Sequence, residues 1–111
     1  MIRVLVADDS RSFRAVLRAI LEKAPELQVV GEAADGAEAV SLAARLRPDV
    51  ITMDVRMPGK DGLAAIEEIM ARLPTPVVVV SAEVGPEHQD TSFRALALGA
   101  VEVLRKPSAS E

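Results

Sequence analysis

The sequence predicts an α/β fold: a doubly wound, five-stranded parallel sheet with helices on its faces. Three observations predict it. Short apolar runs rich in valine alternate with longer stretches whose apolar residues recur every three to four positions. The run Pro76–Val80 is valine without polar alternation, as in a strand covered on both sides. The length of 111 residues suits one domain with one core. Strands that alternate with helices imply right-handed crossovers, and therefore parallel neighbours.

Ile2–Ala7 reads as the first strand. Ser10 or Ser12 can cap the first helix, where Phe13, Val16, Leu17, Ile20, Leu21 and Ala24 form one apolar stripe until Pro25 ends it. Leu27–Ala33 is the second strand, and Asp35-Gly36 turns the chain into an alanine-rich helix ending near Arg47-Pro48. Val50–Met53 is a short buried strand. A loop with Pro58 and Gly59 comes next, Asp61-Gly62 starts the third helix, and Leu63, Ile66, Met70 and Leu73 mark it. After the Pro76–Val80 strand, a fourth helix is predicted over Glu87–Leu98, closed by Gly99, with a fifth strand over Ala100–Leu104. No repeat, low-complexity tract or linker interrupts this order.

Composition excludes several function classes. A net charge of −4 and only two aromatics, Phe13 and Phe93, offer neither a basic face nor a stacking platform, so no nucleic-acid partner is expected. There is no cysteine, which removes disulfides and cysteine-ligated zinc. No apolar run approaches the roughly 20 residues of a membrane span. Met1–Ala7 leads into acidic residues rather than a cleavage site. A cytoplasmic location without membrane contact is the expectation.

Ligands of doubly wound sheets bind beyond the carboxyl ends of the strands. Those ends carry Asp8, Asp9 and Ser10, then Asp54, then Ser81 and Ala82, then Lys106 and Pro107. Taken singly, an aspartate after a strand is most often a cap or turn residue, a serine a cap, and a lysine a surface group. Taken together they are three carboxylates, one hydroxyl and one ammonium at four strand ends. One lysine offsets only part of that negative charge. A hard cation offsets the rest, and oxygen-only ligands with positions left for water and phosphate suit Mg²⁺. A carboxylate beside such an ion can act as nucleophile toward a phosphoryl group whose other oxygens Lys106 and Ser81 bind.

The segments VLVADDS, DVITMDVRMPGKDG, PVVVVSA and GAVEVLRKP stand in the order and spacing of response-regulator receiver domains, and the chain resembles that family over its whole length. The resemblance implies a flavodoxin-like, CheY-like fold over residues 1–111 and a role in two-component signalling. Asp54 would be the phosphoacceptor, fed by a histidine kinase or a histidine-phosphotransfer domain. Asp9, Asp54 and the backbone carbonyl of Arg56 would hold Mg²⁺ directly, and Asp8 through water. Lys106 and Ser81 would bind phosphoryl oxygens, and the Lys106-Pro107 peptide would be cis. Within the family, MIRVLVADDS, PELQVVGEAADG and RALALGAVEVLRKP look most like the receivers of chemotaxis protein-glutamate methylesterases, which restrain an esterase domain until phosphorylated.

Two departures stand out. Val103 occupies a position that in the family is often an aromatic reporting phosphorylation, and the family's final helix, expected after Pro107, is missing. The chain is therefore expected to be part of a longer regulator, with its effector domain in cis or in a partner protein. Without a fifth helix, strands one and five should expose an apolar face through which the fragment could self-associate. Arg11, Arg14 and Arg18, opposite the apolar stripe, are read as a docking edge for an acidic phosphotransfer partner. Arg56 and Glu83 are expected to pair across the mouth of the site and limit water access.

Two alternatives share parts of this pattern. A haloacid-dehalogenase-like phosphatase also uses a nucleophilic aspartate with Mg²⁺. It requires a second aspartate two residues after the nucleophile at the end of the first strand, and serine and arginine come after the Asp8-Asp9 pair here. A flavodoxin-like flavin carrier would need a phosphate-binding loop and stacking aromatics that the sequence lacks.

Overall fold

The computed structural model describes residues 1–107. Chain order alternates: β1 (Ile2–Ala7), α1 (Arg11–Leu21), β2 (Leu27–Ala33), α2 (Gly36–Leu46), β3 (Val50–Met53), α3 (Gly62–Arg72), β4 (Val77–Ser81), α4 (Gln89–Leu98) and β5 (Glu102–Arg105). All neighbouring strands are parallel, in the order β2-β1-β3-β4-β5. The chain winds outward from β1 to β2 and then back across to β3, so the crevice of a doubly wound sheet opens beyond β1 and β3. The predicted five-stranded α/β fold is the observed one. Any helix after Pro107 falls outside the described residues. Among those residues, no helix is long and apolar enough to cross a membrane.

Side-chain caps fix where three helices begin. The Ser10 hydroxyl accepts from the Phe13 N–H at 3.2 Å, the Asp35 carboxylate from Glu38 N–H at 2.8 Å, and the Asp61 carboxylate from Ala64 N–H at 2.9 Å. The fourth helix has no such cap. It is entered through a 3₁₀ turn at Pro86–His88, so the α-helix starts at Gln89, two residues later than predicted. Strand β5 starts at Glu102 because the Gly99 and Ala100 N–H groups still close the end of α4 on Leu96 and Ala95.

The two faces of the sheet are covered unequally. On one, α2, α3 and α4 bury Leu5, Ile51, Met53, Val77 and Val79 with Val40, Ile66 and Ala95. On the other, α1 lays Leu17 and Leu21 over Val4, Val6 and Val29. Its stripe is only half used, with Val16 and Ile20 more than half exposed. Along the same face Val78 and Val80 are half-buried, and Ile2 and Leu104 are exposed. Thr52 also lies here, between Val6 and Val78, and its buried hydroxyl has no hydrogen-bond partner among the described residues.

Candidate functional site

The strand ends bring the predicted residues together. Parallel pairing puts Ala7 beside Met53, so Asp8 and Asp54 leave adjacent strands side by side, and the Asp54 N–H bonds the Ala7 carbonyl at 2.9 Å. One carboxylate oxygen from each of Asp8, Asp9 and Asp54 lies within 4.8 Å of the other two. Asp8 and Asp54 are buried and Asp9 is exposed. The Lys106 N–H bonds the Ser81 carbonyl at 3.1 Å, which turns the chain after β5 toward the acids. Its ammonium then lies 2.7 Å from Asp8 Oδ2 and 3.2 Å from Asp54 Oδ2.

The remaining oxygens are held by backbone. Asp8 Oδ1 accepts from Ser10 N–H and Asp54 Oδ1 from Val55 N–H, both at 2.8 Å. Burial, the largest influence, pushes Asp8 above the usual carboxylate range; nearby Asp54 adds to this, while Lys106 and the Ser10 N–H oppose it. Burial alone would lower Lys106, but its hydrogen bond to Asp8 and the charges of Asp54 and Asp8 together raise it. The cluster therefore carries more negative charge than its lysine balances. Its oxygen-only donor set, open on the Asp9 side, fits a hard divalent cation.

Around this centre, Ser81 is fully buried and its hydroxyl accepts from the Glu83 N–H at 3.1 Å. Arg56 Nη2 meets Glu83 Oε1 at 3.1 Å, the pair expected from the sequence. The other oxygen of Glu83 lies 3.7 Å from His88 Nδ1, a neighbour that no sequence signal indicated. Val103 is half-buried against the main core. The Phe13 ring was also missed as a site residue: it lies 4.3 Å from the Lys106 ammonium. Helical spacing makes Phe13 look like core alone, and its place directly after the acidic turn is the signal that points to the site.

Two glycines fasten one side of the site. A Cβ on Gly62 would lie 1.9 Å from the Asp54 carbonyl oxygen, and the Gly62 N–H bonds the Val55 carbonyl at 2.7 Å. A Cβ on Gly36 would lie 2.1 Å from the Lys60 carbonyl oxygen, to which Gly36 N–H donates at 3.0 Å. Helix α3 and the start of α2 are thus pressed against the segment that carries Asp54 and Arg56.

Two expectations are corrected. The Lys106-Pro107 peptide is trans. A prolyl bond prefers trans by about 0.5–1 kcal/mol unless packing on both sides selects cis, and Pro107 is exposed at the end of the described residues. Of the three arginines read as a docking edge, Arg14 is turned inward: its side chain is 14% exposed, and it bonds the Asp8 carbonyl and Glu32. Arg18 shares Glu32 and also pairs with Glu22, whereas Arg11 is exposed.

Residues 4–111 match the response regulator receiver domain. The chain belongs to the response-regulator receiver family. It is 50% identical over 109 residues to protein-glutamate methylesterase/protein-glutamine glutaminase 2 of Methanospirillum hungatei, covering 98% of this chain and 31% of that protein. It is 54% identical over 110 residues to enzyme 4 of that name from Myxococcus xanthus, covering 99% and 31%. The receiver thus spans about a third of the length of these relatives. Among solved structures, the response regulator domain of Thermotoga maritima CheB superposes with a TM-score of 0.93 at 46% identity, covering 100% of this chain and 82% of that one. The receiver of a putative NarL from Mycobacterium tuberculosis gives 0.86 at 38% identity, covering 97% and 86%. This chain is a receiver of the CheB type, and the haloacid-dehalogenase alternative gains no support.

Proposed function

We propose that this receiver is a phosphoacceptor switch in which Asp54 takes a phosphoryl group from a phosphohistidine on a histidine kinase or histidine-phosphotransfer domain. The observation that carries this reading is the Lys106 ammonium, shared by the buried carboxylates of Asp8 and Asp54 with Asp9 on the open side. An Asp54 oxygen forms the new P–O bond while the P–N bond breaks and the imidazole leaves with its electron pair. Water later attacks the acyl phosphate, which releases inorganic phosphate and restores the carboxylate. Asp9, Asp54 and the Arg56 carbonyl would hold Mg²⁺ directly and Asp8 through water; bound there, the ion supplies charge compensation for the transferring oxygens. Lys106 binds one phosphoryl oxygen, and the Ser81 hydroxyl turns from the Glu83 N–H to donate to another.

The methylesterase relatives support a chemotaxis esterase as the output, in cis or in a partner, restrained until Asp54 is modified. Docking of the acidic phosphotransfer partner falls to Arg11 and Arg18, and the cytoplasmic location belongs to the same reading. Incubation with Mg²⁺ and acetyl phosphate should label the chain, and Asp54→Asn should abolish the label. A label persisting on that variant at the wild-type rate would place the acceptor elsewhere.

The Arg56–Glu83 pair limits access of the attacking water. Its members are exposed enough that it contributes only about 0–1 kcal/mol to stability, so its effect lies on access. Replacing both by alanine should speed loss of the label severalfold, read as phosphate release after the donor is removed. An unchanged or slower rate would remove the gate.

A further inference from the structure

We infer that Arg14 is a positioning residue for the cation site, acting through the Asp8–Asp9 peptide; the inference rests on the phosphoacceptor reading. Arg14 Nη1 donates to the Asp8 carbonyl at 2.6 Å, and its Nε donates to Glu32 Oε1 at 3.0 Å. The second oxygen of Glu32 accepts from Arg18 Nη1 at 2.7 Å. Glu32 stands on β2 in register with Val6, two residues before Asp8. The Asp8 N–H is tied to the same strand through the Ala33 carbonyl at 2.9 Å. Asp8 is therefore gripped at its N–H by β2 and at its carbonyl by α1.

The Asp8 carbonyl and the Asp9 N–H belong to one planar peptide unit. A guanidinium fork locked by a carboxylate fixes that plane in a way a flexible ammonium would not. Asp9 is exposed, so the plane from which it departs sets where its carboxylate points. Asp8 and Asp54 have their own locks in Lys106 and backbone N–H groups; the lock for Asp9 is one residue back and is Arg14.

Charge alone makes the opposite prediction. Glu32 keeps Arg18 as its partner when Arg14 is deleted, but one positive charge near an acidic site is lost, which by Coulomb attraction should tighten cation binding. Positioning predicts loss, since removing partners that orient metal ligands weakens binding on the order of 10–100-fold.

The test is calorimetric titration of Mg²⁺ alone into the 111-residue chain, with no phosphodonor. Arg14→Ala should bind Mg²⁺ about tenfold more weakly. Glu32→Ala should shift affinity the same way, and the double variant should be no weaker than Arg14→Ala, because Glu32 acts through Arg14. Acetyl phosphate labelling of both single variants should need correspondingly more Mg²⁺ to reach half its maximal rate. Affinity in Arg14→Ala equal to or tighter than wild type overturns the inference and leaves the phosphoacceptor reading standing. If Arg14→Ala does not fold, unchanged affinity in Glu32→Ala overturns it instead. A wild-type chain that neither binds Mg²⁺ nor takes label overturns both.

Discussion

On one face of the sheet, three helices close over Leu5, Ile51, Met53, Val77 and Val79; on the other, α1 is the one helix among the described residues that covers Val4, Val6 and Val29, with Val78 and Val80 half-buried and Leu104 exposed. The strands themselves do not foreshadow this contrast. Alternate residues of β1 and β4 are aliphatic on both faces, so both look destined for burial. Cover is set by the helices: α3 buries Leu63, Ala65, Ile66 and Ile69, whereas α1 has no fully buried residue. Among the described residues, the three-helix face buries the larger core cluster, and the one-helix face leaves apolar side chains exposed.

The largest difference between the faces should appear on truncating their side chains. Ile51→Ala, at a fully buried position, should cost about 2–5 kcal/mol in urea unfolding. Leu104→Ala, at a side chain 49% exposed, should change stability by no more than about 0.5 kcal/mol. Sedimentation should show concentration-dependent association of the chain that Leu104→Glu weakens. Equal costs at the two positions, or a chain that stays monomeric, would erase the contrast.

A smaller effect is expected at Thr52, a buried polar residue on the sparsely covered face. Its hydroxyl is buried without a partner among the described residues, so the near-isosteric Thr52→Val should raise stability by about 1 kcal/mol. A loss of stability would show that the hydroxyl is satisfied in solution.

The smallest effect concerns how α1 is held to this face. Hydrogen bonding from Arg18, then from Arg14, holds the Glu32 carboxyl below the usual glutamate range despite partial burial. With the folded pKa lowered, the stability it brings is full above about pH 4.5 and fades as pH falls through the folded value. Glu32→Gln should therefore lose at most about 1 kcal/mol at pH 7, and the difference from wild type should shrink as pH falls through the lowered folded value. A gap that persists in acid would assign the effect to packing instead.

Much of this was legible in the sequence, for reasons that differ by element. The caps at Ser10 and Asp61 and the breaker at Pro25 are local signals, and local geometry obeys them. Asp8, Asp54 and Lys106 could be placed because each comes at or just past the end of a strand, and parallel register brings those ends together at one edge of the sheet. The Arg56–Glu83 pair could be anticipated from offsets counted off those ends. Arg14 could not, because on a helical wheel it sits with Arg11 and Arg18; Glu32, the group that turns it inward, lies on another strand. The 3₁₀ entry to α4 was hidden for a similar reason. Pro86 is tolerated in a first turn of either helix type, and no side chain caps Gln89 to choose between them.

The glycine contacts beside Asp54 give the site one wall of masonry and one of canvas. With Gly62 seated against the Asp54 carbonyl and Gly36 against that of Lys60, no slack remains between the Asp54–Asp61 segment and the starts of α3 and α2. Across the cleft, the Ser81 hydroxyl is held by a single N–H, and α4 beyond it is anchored by one buried alanine and no side-chain cap. A group added at Asp54 would therefore meet a tightly packed wall on the Gly62 side and looser packing on the side of Ser81 and α4.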